Sequence, residues 1–160
     1  MRNELKDKFT RDRFIYNFIV SFVIYIAVGI IGLISSIFLG VAGIHIIGIF
    51  GVIGGHTLLS VVLYIVLASK LLKPFDNRML NFLSVCSSFI FMVIINTIVV
   101  ILQGVLHGTG MFMIHASFAL LMLAFGNFEV ISIYIMATLP TAIMGIGLAY
   151  KAKKSIPKGD

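Results

Sequence analysis

Residues 14–69 contain no Asp, Glu, Lys or Arg, and across residues 79–150 the one charged side chain is Glu129. A helix rises about 1.5 Å per residue and a bilayer core is about 30 Å thick, so roughly 20 apolar residues make one crossing. Uncharged stretches of 56 and 72 residues therefore hold more than one crossing each. The charged share of 11% and mean hydropathy of +1.13 agree, since soluble domains carry about 25% charged residues. The expected class is an all-α, polytopic transmembrane helix bundle forming a single domain over residues 1–160.

The net charge of +6 does not point to nucleic acid. The basic residues fall in three clusters flanking the apolar stretches: Arg2, Lys6, Lys8, Arg11 and Arg13; Lys70, Lys73 and Arg78; Lys151, Lys153, Lys154 and Lys158. Topology determinants and lipid-headgroup contacts are distributed in this way. Cys86 is the single cysteine, so it forms no intramolecular disulfide and serves as a small hydrophobe. The first apolar run exceeds a signal-peptide core of about 7–15 residues and is read as an uncleaved helix. Heavy use of Ile, Phe, Met and Lys fits an AT-rich, bacterial or phage, coding genome.

The pattern predicts transmembrane helices over about 14–39, 48–72, 79–103, 109–126 and 129–150. Residues 1–13 form a basic cytoplasmic N-terminus, read as a short surface helix or a frayed tail, and residues 151–160 form a lysine-rich tail. Pro74 stops the second helix, and Asp76 or Asn77 is suited to cap the third. Placing the first two basic clusters inside makes helices one and two a hairpin. Five crossings leave the lysine tail outside, against its charge. The alternative is four crossings with residues 111–125 as a re-entrant segment. Five is preferred because about eighteen residues nearly match a 30 Å core. A weak echo at 59 residues, "GGHTLLSVVLYIVLA" against "MIHASFALLMLAF", is no better than chance similarity in so apolar a chain.

Asn17, Ser21, Tyr25, Gly29, Gly32 and Ser36 recur on one face of helix one, and Asn81, Ser84, Ser88, Asn96 and Gln103 on one face of helix three. Small and hydrogen-bonding side chains mark where membrane helices touch. Gly40, Gly43, Gly48, Gly51, Gly54 and Gly55 are read in the same way, as sites of tight helix contact. Pro140 frees the carbonyl of Met136, which Thr138 or Thr141 could satisfy.

All four histidines, His45, His56, His107 and His115, lie in or near the two turns expected on the outer side. Their spacings of eleven and eight residues lack a local chelate pattern, so no metal ligand is assigned. Glu129 sits at a turn, where an acid favours the helix dipole. No hydrolase triad or phosphate-binding loop is present, and no catalytic residue or cofactor is expected. The first functional expectation is a non-catalytic membrane protein acting through helix packing, with itself or another membrane protein, in an accessory, regulatory or immunity role. The alternative is a small carrier or ligand-binding module in which His56, Asn96, Gln103, His115 and Glu129 polarise an interhelical cavity.

Overall fold

The computed structural model describes residues 2–38, 44–101 and 130–155, with side chains described for residues 9–35, 37–38, 51–95, 97–98 and 137–153. All the described elements are helices, with no strand among the described residues. They are α1 (Arg2–Phe38), α2 (Ile44–Leu71), α3 (Arg78–Leu83), α4 (Ser87–Ile101) and α5 (Val130–Ser155). The predicted helix over 109–126 lies outside the described residues.

The basic N-terminus is neither a separate surface helix nor a frayed tail, because it forms one continuous helix with the apolar run. No Gly or Pro interrupts residues 2–28, so nothing stops helix propagation across the change in polarity. α2 begins before its predicted start and includes Gly48, since an interior glycine costs a helix only about 1 kcal/mol. α5 runs beyond Tyr150 to Ser155, taking in Lys151, Lys153 and Lys154. Lysines are good helix formers and suit a helix C-terminus. Pro140 lies inside α5 without ending it, and the Thr141 hydroxyl bonds Ser88 Oγ at 2.9 Å on α4.

The third predicted helix is broken. Residues 84–86 form a turn in which the Val85 and Cys86 N–H groups donate to the carbonyls of Phe82 and Leu83, three residues back. Three-residue spacing eclipses side chains at i and i+3. Asn81, Ser84 and Ser87 are therefore brought into line, and Ser88 is released to face α5. The cap of α3 is Asn77, whose Oδ1 accepts the Met79 N–H at 2.8 Å.

Contacts between the helices fix their directions. α1 runs parallel to α4, with Asn17 against Ser84, Ser21 against Ser87 and Tyr25 against Met92. α2 is antiparallel to α1, with Tyr16 meeting Leu71 and Ser35 meeting His56. α5 runs parallel to α2, with Gly147 beside Ile65 and Ala68, and Lys151 at Lys70 and Leu72. The N-terminal part of α1 and the C-termini of α2 and α5 thus share one end of the bundle.

The core joins Ile24 and Val28 of α1, Tyr64 and Ala68 of α2, Met92 of α4, and Met144 and Leu148 of α5. The closest approach is at Gly147, where an added Cβ would lie 3.0 Å from the Ile65 carbonyl oxygen and 3.1 Å from Ala68 Cβ. Among the described residues two segments, Phe9–Ser35 and Gly51–Leu71, are long and apolar enough to cross a membrane. The core helix of a soluble protein passes the same test but is mostly buried; only 28% and 33% of these segments' apolar windows are buried.

Candidate functional site

The densest polar construction lies at the shared basic end, around the α2–α3 connector. Pro74 forces the chain out of α2, leaving irregular backbone whose N–H and C=O groups need partners. Two asparagines supply them. Asn17 of α1, fully buried, donates from Nδ2 to the Lys73 carbonyl at 2.8 Å and accepts the Lys73 N–H on Oδ1 at 2.9 Å. Two residues on, Asn81 repeats the clamp. Its Oδ1 accepts the Phe75 N–H at 2.6 Å and its Nδ2 donates to the Phe75 carbonyl at 2.8 Å. The Pro74 carbonyl accepts from Arg13 Nη1 at 2.9 Å. Every backbone polar group of Lys73, Pro74 and Phe75 therefore meets a side chain.

Ser84 ties the two clamps together, accepting from Asn17 Nδ2 at 3.2 Å and donating to the Asn81 carbonyl at 3.0 Å. Two further donors serve the last carbonyls of α2. Tyr16 Oη donates to Leu71 at 3.2 Å, and Lys151 Nζ to Leu72 at 2.7 Å and Lys70 at 3.3 Å. These carbonyls lack intrahelical partners and carry the negative end of the helix dipole, which favours an ammonium. Cations also stack on aromatic rings here. The Arg13 guanidinium lies 4.5 Å from the Phe9 ring centre and 5.5 Å from that of Phe75, and Lys73 Nζ lies 4.2 Å from that of Tyr16.

Two recesses flank the connector. One of about 260 Å³ is lined by Phe9, Asp12, Arg13, Tyr16 and Lys73. The other, about 530 Å³, lies between the connector and α5 and includes Asp76, Arg78, Tyr150 and Lys153. A third, apolar groove of about 370 Å³ runs between α1 and α4 past Tyr25, Gly29, Leu33 and Phe91.

Of the five side chains expected to polarise a cavity, His56 is described. It is fully buried, with Nδ1 3.0 Å from Ser35 Oγ on α1, at the end opposite the basic connector. Asn96 lies on α4, but its side chain is outside the described residues, as is that of His45 on α2. Gln103, His107, His115 and Glu129 lie wholly outside them.

The polar stripes behave largely as predicted. Asn17, Ser21, Ser84 and Ser88 are all buried and bond across helix interfaces. Ser87, absent from the predicted stripe, pairs with Ser21 at 2.6 Å because of the turn at 84–86. Within the glycine cluster, Gly54 and Gly55 depart from expectation, since an added Cβ at either meets nothing within 4 Å; Gly40 and Gly43 lie outside the described residues. The roles of Arg13, Tyr16 and Lys151 were not visible in the sequence. Pro74 signals an unsatisfied connector but not the side chains that satisfy it. The chain matches no family model, no curated protein and no solved structure.

Proposed function

We propose that this is a small multi-pass membrane protein that crosses the bilayer four times and acts without catalysis, by helix–helix contact in an accessory, regulatory or immunity capacity. The observation supporting it is an inverted distribution of polarity. Ile15, Ile19, Val23, Ile26 and Ile30 of α1 are 43–56% exposed, while Asn17, Ser21, Ser84 and Ser88 are at most 0% exposed. In water that arrangement would leave a large apolar surface unburied. In lipid it is the favourable one, because hydrogen-bonding side chains hold helices together.

The direction of α5 supports four crossings over five. Ser88 of α4 faces Thr141 of α5. From that contact Ile101 lies about 20 Å along α4 and Val130 about 17 Å along α5, in the same direction. Ile101 and Val130 thus lie toward one end of the bundle. The 28 residues between them in sequence are too few for two crossings at roughly 20 each, which favours four crossings in this reading. The three basic clusters then share one side, the cytoplasmic one.

The contact surface in this reading is the apolar groove between α1 and α4, where nothing lies within 4 Å of an added Cβ at Gly29. The occupant is a membrane helix, from a second copy or another protein. A cysteine at Ser155 in a Cys86→Ala background tests the topology. Protection from an impermeant thiol reagent in intact cells, lost on lysis, is expected; labelling before lysis would restore five crossings. A photoreactive side chain at Gly29 tests the contact, with a discrete protein adduct expected and lipid adducts alone counting against it. The carrier reading rests on His56, buried beside Ser35. Loss of a transport signal in His56→Ala or Glu129→Gln, with insertion intact, would favour it.

A further inference from the structure

The recess between the connector and α5 combines features that no internal contact explains. Along α5, Ala149 and Tyr150 each lie three or four residues from both Ile146 and Lys153, so the four share one face. All four line the recess, together with Asp76 and Arg78 from the connector side. Ile146 and Tyr150 are 61% and 66% exposed. The wall thus passes from apolar to cationic over about 10 Å of helix, the depth over which a lipid passes from acyl chain to headgroup. Asn81 closes the floor with a carboxamide already engaged by Phe75.

The charges at the rim are of both signs. Arg78 and Lys153 are exposed, as is Asp76. Among the described residues the recorded salt bridge is Arg11 with Asp12, elsewhere on the surface. A guanidinium and an ammonium are the donors that recognise a phosphate ester, the guanidinium in bidentate fashion. A carboxylate beside them would repel a simple anion. It suits instead a molecule carrying a primary ammonium close to its phosphate.

We propose that this recess binds a phosphodiester bearing a primary ammonium, the headgroup of an ethanolamine glycerophospholipid. Its phosphate lies on Arg78 and Lys153, its ammonium on Asp76, and its acyl chains along Ile146 and Ala149. This rests on the membrane reading given above. It adds a chemical preference at one leaflet to a protein otherwise described by its helix contacts. Because the three charged side chains are exposed, their substitution leaves the core and the connector clamp intact.

The test uses the full chain, extracted in detergent, stripped of lipid and examined by native mass spectrometry. Ethanolamine, glycerol and choline phospholipids with identical acyl chains are added in turn. One retained ethanolamine lipid per chain is expected, with about tenfold preference over the choline lipid, whose quaternary ammonium has no N–H to donate. Asp76→Asn should remove that preference while the glycerol lipid still binds. Arg78→Gln combined with Lys153→Gln should remove binding of both. Equal retention of the three lipids, or wild-type preference in Asp76→Asn, would overturn the assignment. Displacement by an equal concentration of water-soluble glycerophosphoethanolamine would show that the ligand is a free ester rather than a lipid. Carbonate extraction of intact membranes separates the two readings. Release of the chain would refute membrane insertion itself, whereas retention without headgroup selection refutes this proposal alone.

Discussion

At the basic end, Arg13, Asn17, Asn81, Tyr16 and Lys151 place side-chain donors on consecutive carbonyls from Leu71 to Phe75. At the opposite end of the α1–α2 hairpin Ser35 meets His56 across the helix interface, and Gly54 and Gly55 face open space. The two ends differ because their backbones differ. Around Pro74 the chain leaves the helix and must find external partners for its amides. Around His56 the backbone is helical and satisfies itself, so side chains there do little more than set the pairing of α1 with α2. Among the described residues, the side chains that bond to the main chain of another element gather where that main chain is irregular.

The sharpest way to break this comparison is to remove one clamp. Asn17→Ala deletes three hydrogen bonds at a fully buried position and strands both backbone groups of Lys73. An unsatisfied buried polar group costs about 1–3 kcal/mol, so a loss of about 3–5 kcal/mol is expected. Ser35→Ala removes the contacts of Ser35 Oγ with His56 Nδ1 and with the Gly32 carbonyl, whose helix is otherwise regular, and should cost about 1 kcal/mol. Reversible unfolding in mixed micelles measures both. Equal losses would mean that the connector is not the special feature of this molecule.

A second contrast concerns glycines. Gly147→Val on α5 pushes a branched side chain toward the Ile65 carbonyl oxygen, 3.0 Å from the first added carbon, and Ala68 Cβ, 3.1 Å away. Neither is the flexible end of a long side chain, so α2 and α5 must separate. Overpacking of this kind costs about 1–3 kcal/mol. Separation of the pair would also move Lys151 from the Leu72 carbonyl, coupling the defect to the basic end. A Gly147→Val protein with unchanged stability would show that the α2–α5 contact is loose.

Much of this architecture is legible in the sequence because lipid imposes strong rules on composition. The charge-free runs locate α1, α2 and α5, and the Asn and Ser stripes identify their inward faces. The break at 84–86 is not legible. No Gly or Pro marks it, and what accompanies it is a tertiary feature, the contact of Ser84 and Ser87 with the same face of α1. The connector clamp is equally hidden, since Asn17 and Asn81 are 64 positions apart and read as helix-packing residues. Helix length alone cannot decide between five crossings and four, because it does not register that Lys151 reaches the carbonyls at the end of α2. Of the proposed polar cavity, His56 alone has a described side chain, and its setting is an interhelical hydrogen bond with Ser35.

The smallest expected effect sharpens the comparison from the other side. Glycine density near residue 50 suggests close helix contact, yet Gly54 and Gly55 have nothing within 4 Å of an added Cβ, and both are exposed. If that end is held by regular helix rather than by packing, these glycines only cost α2 backbone entropy. Gly54→Ala and Gly55→Ala should then each stabilise the bundle by about 0.5–1 kcal/mol, the usual difference between the two residues inside a helix. Unfolding midpoints of the two variants, measured beside that of Gly147→Val, decide the matter. Destabilisation by alanine at either position would mean that another surface seats against this face of α2 in the membrane. The end that looks loosely built would then be a second helix-contact surface, and the groove at Gly29 would lose its place as the sole candidate.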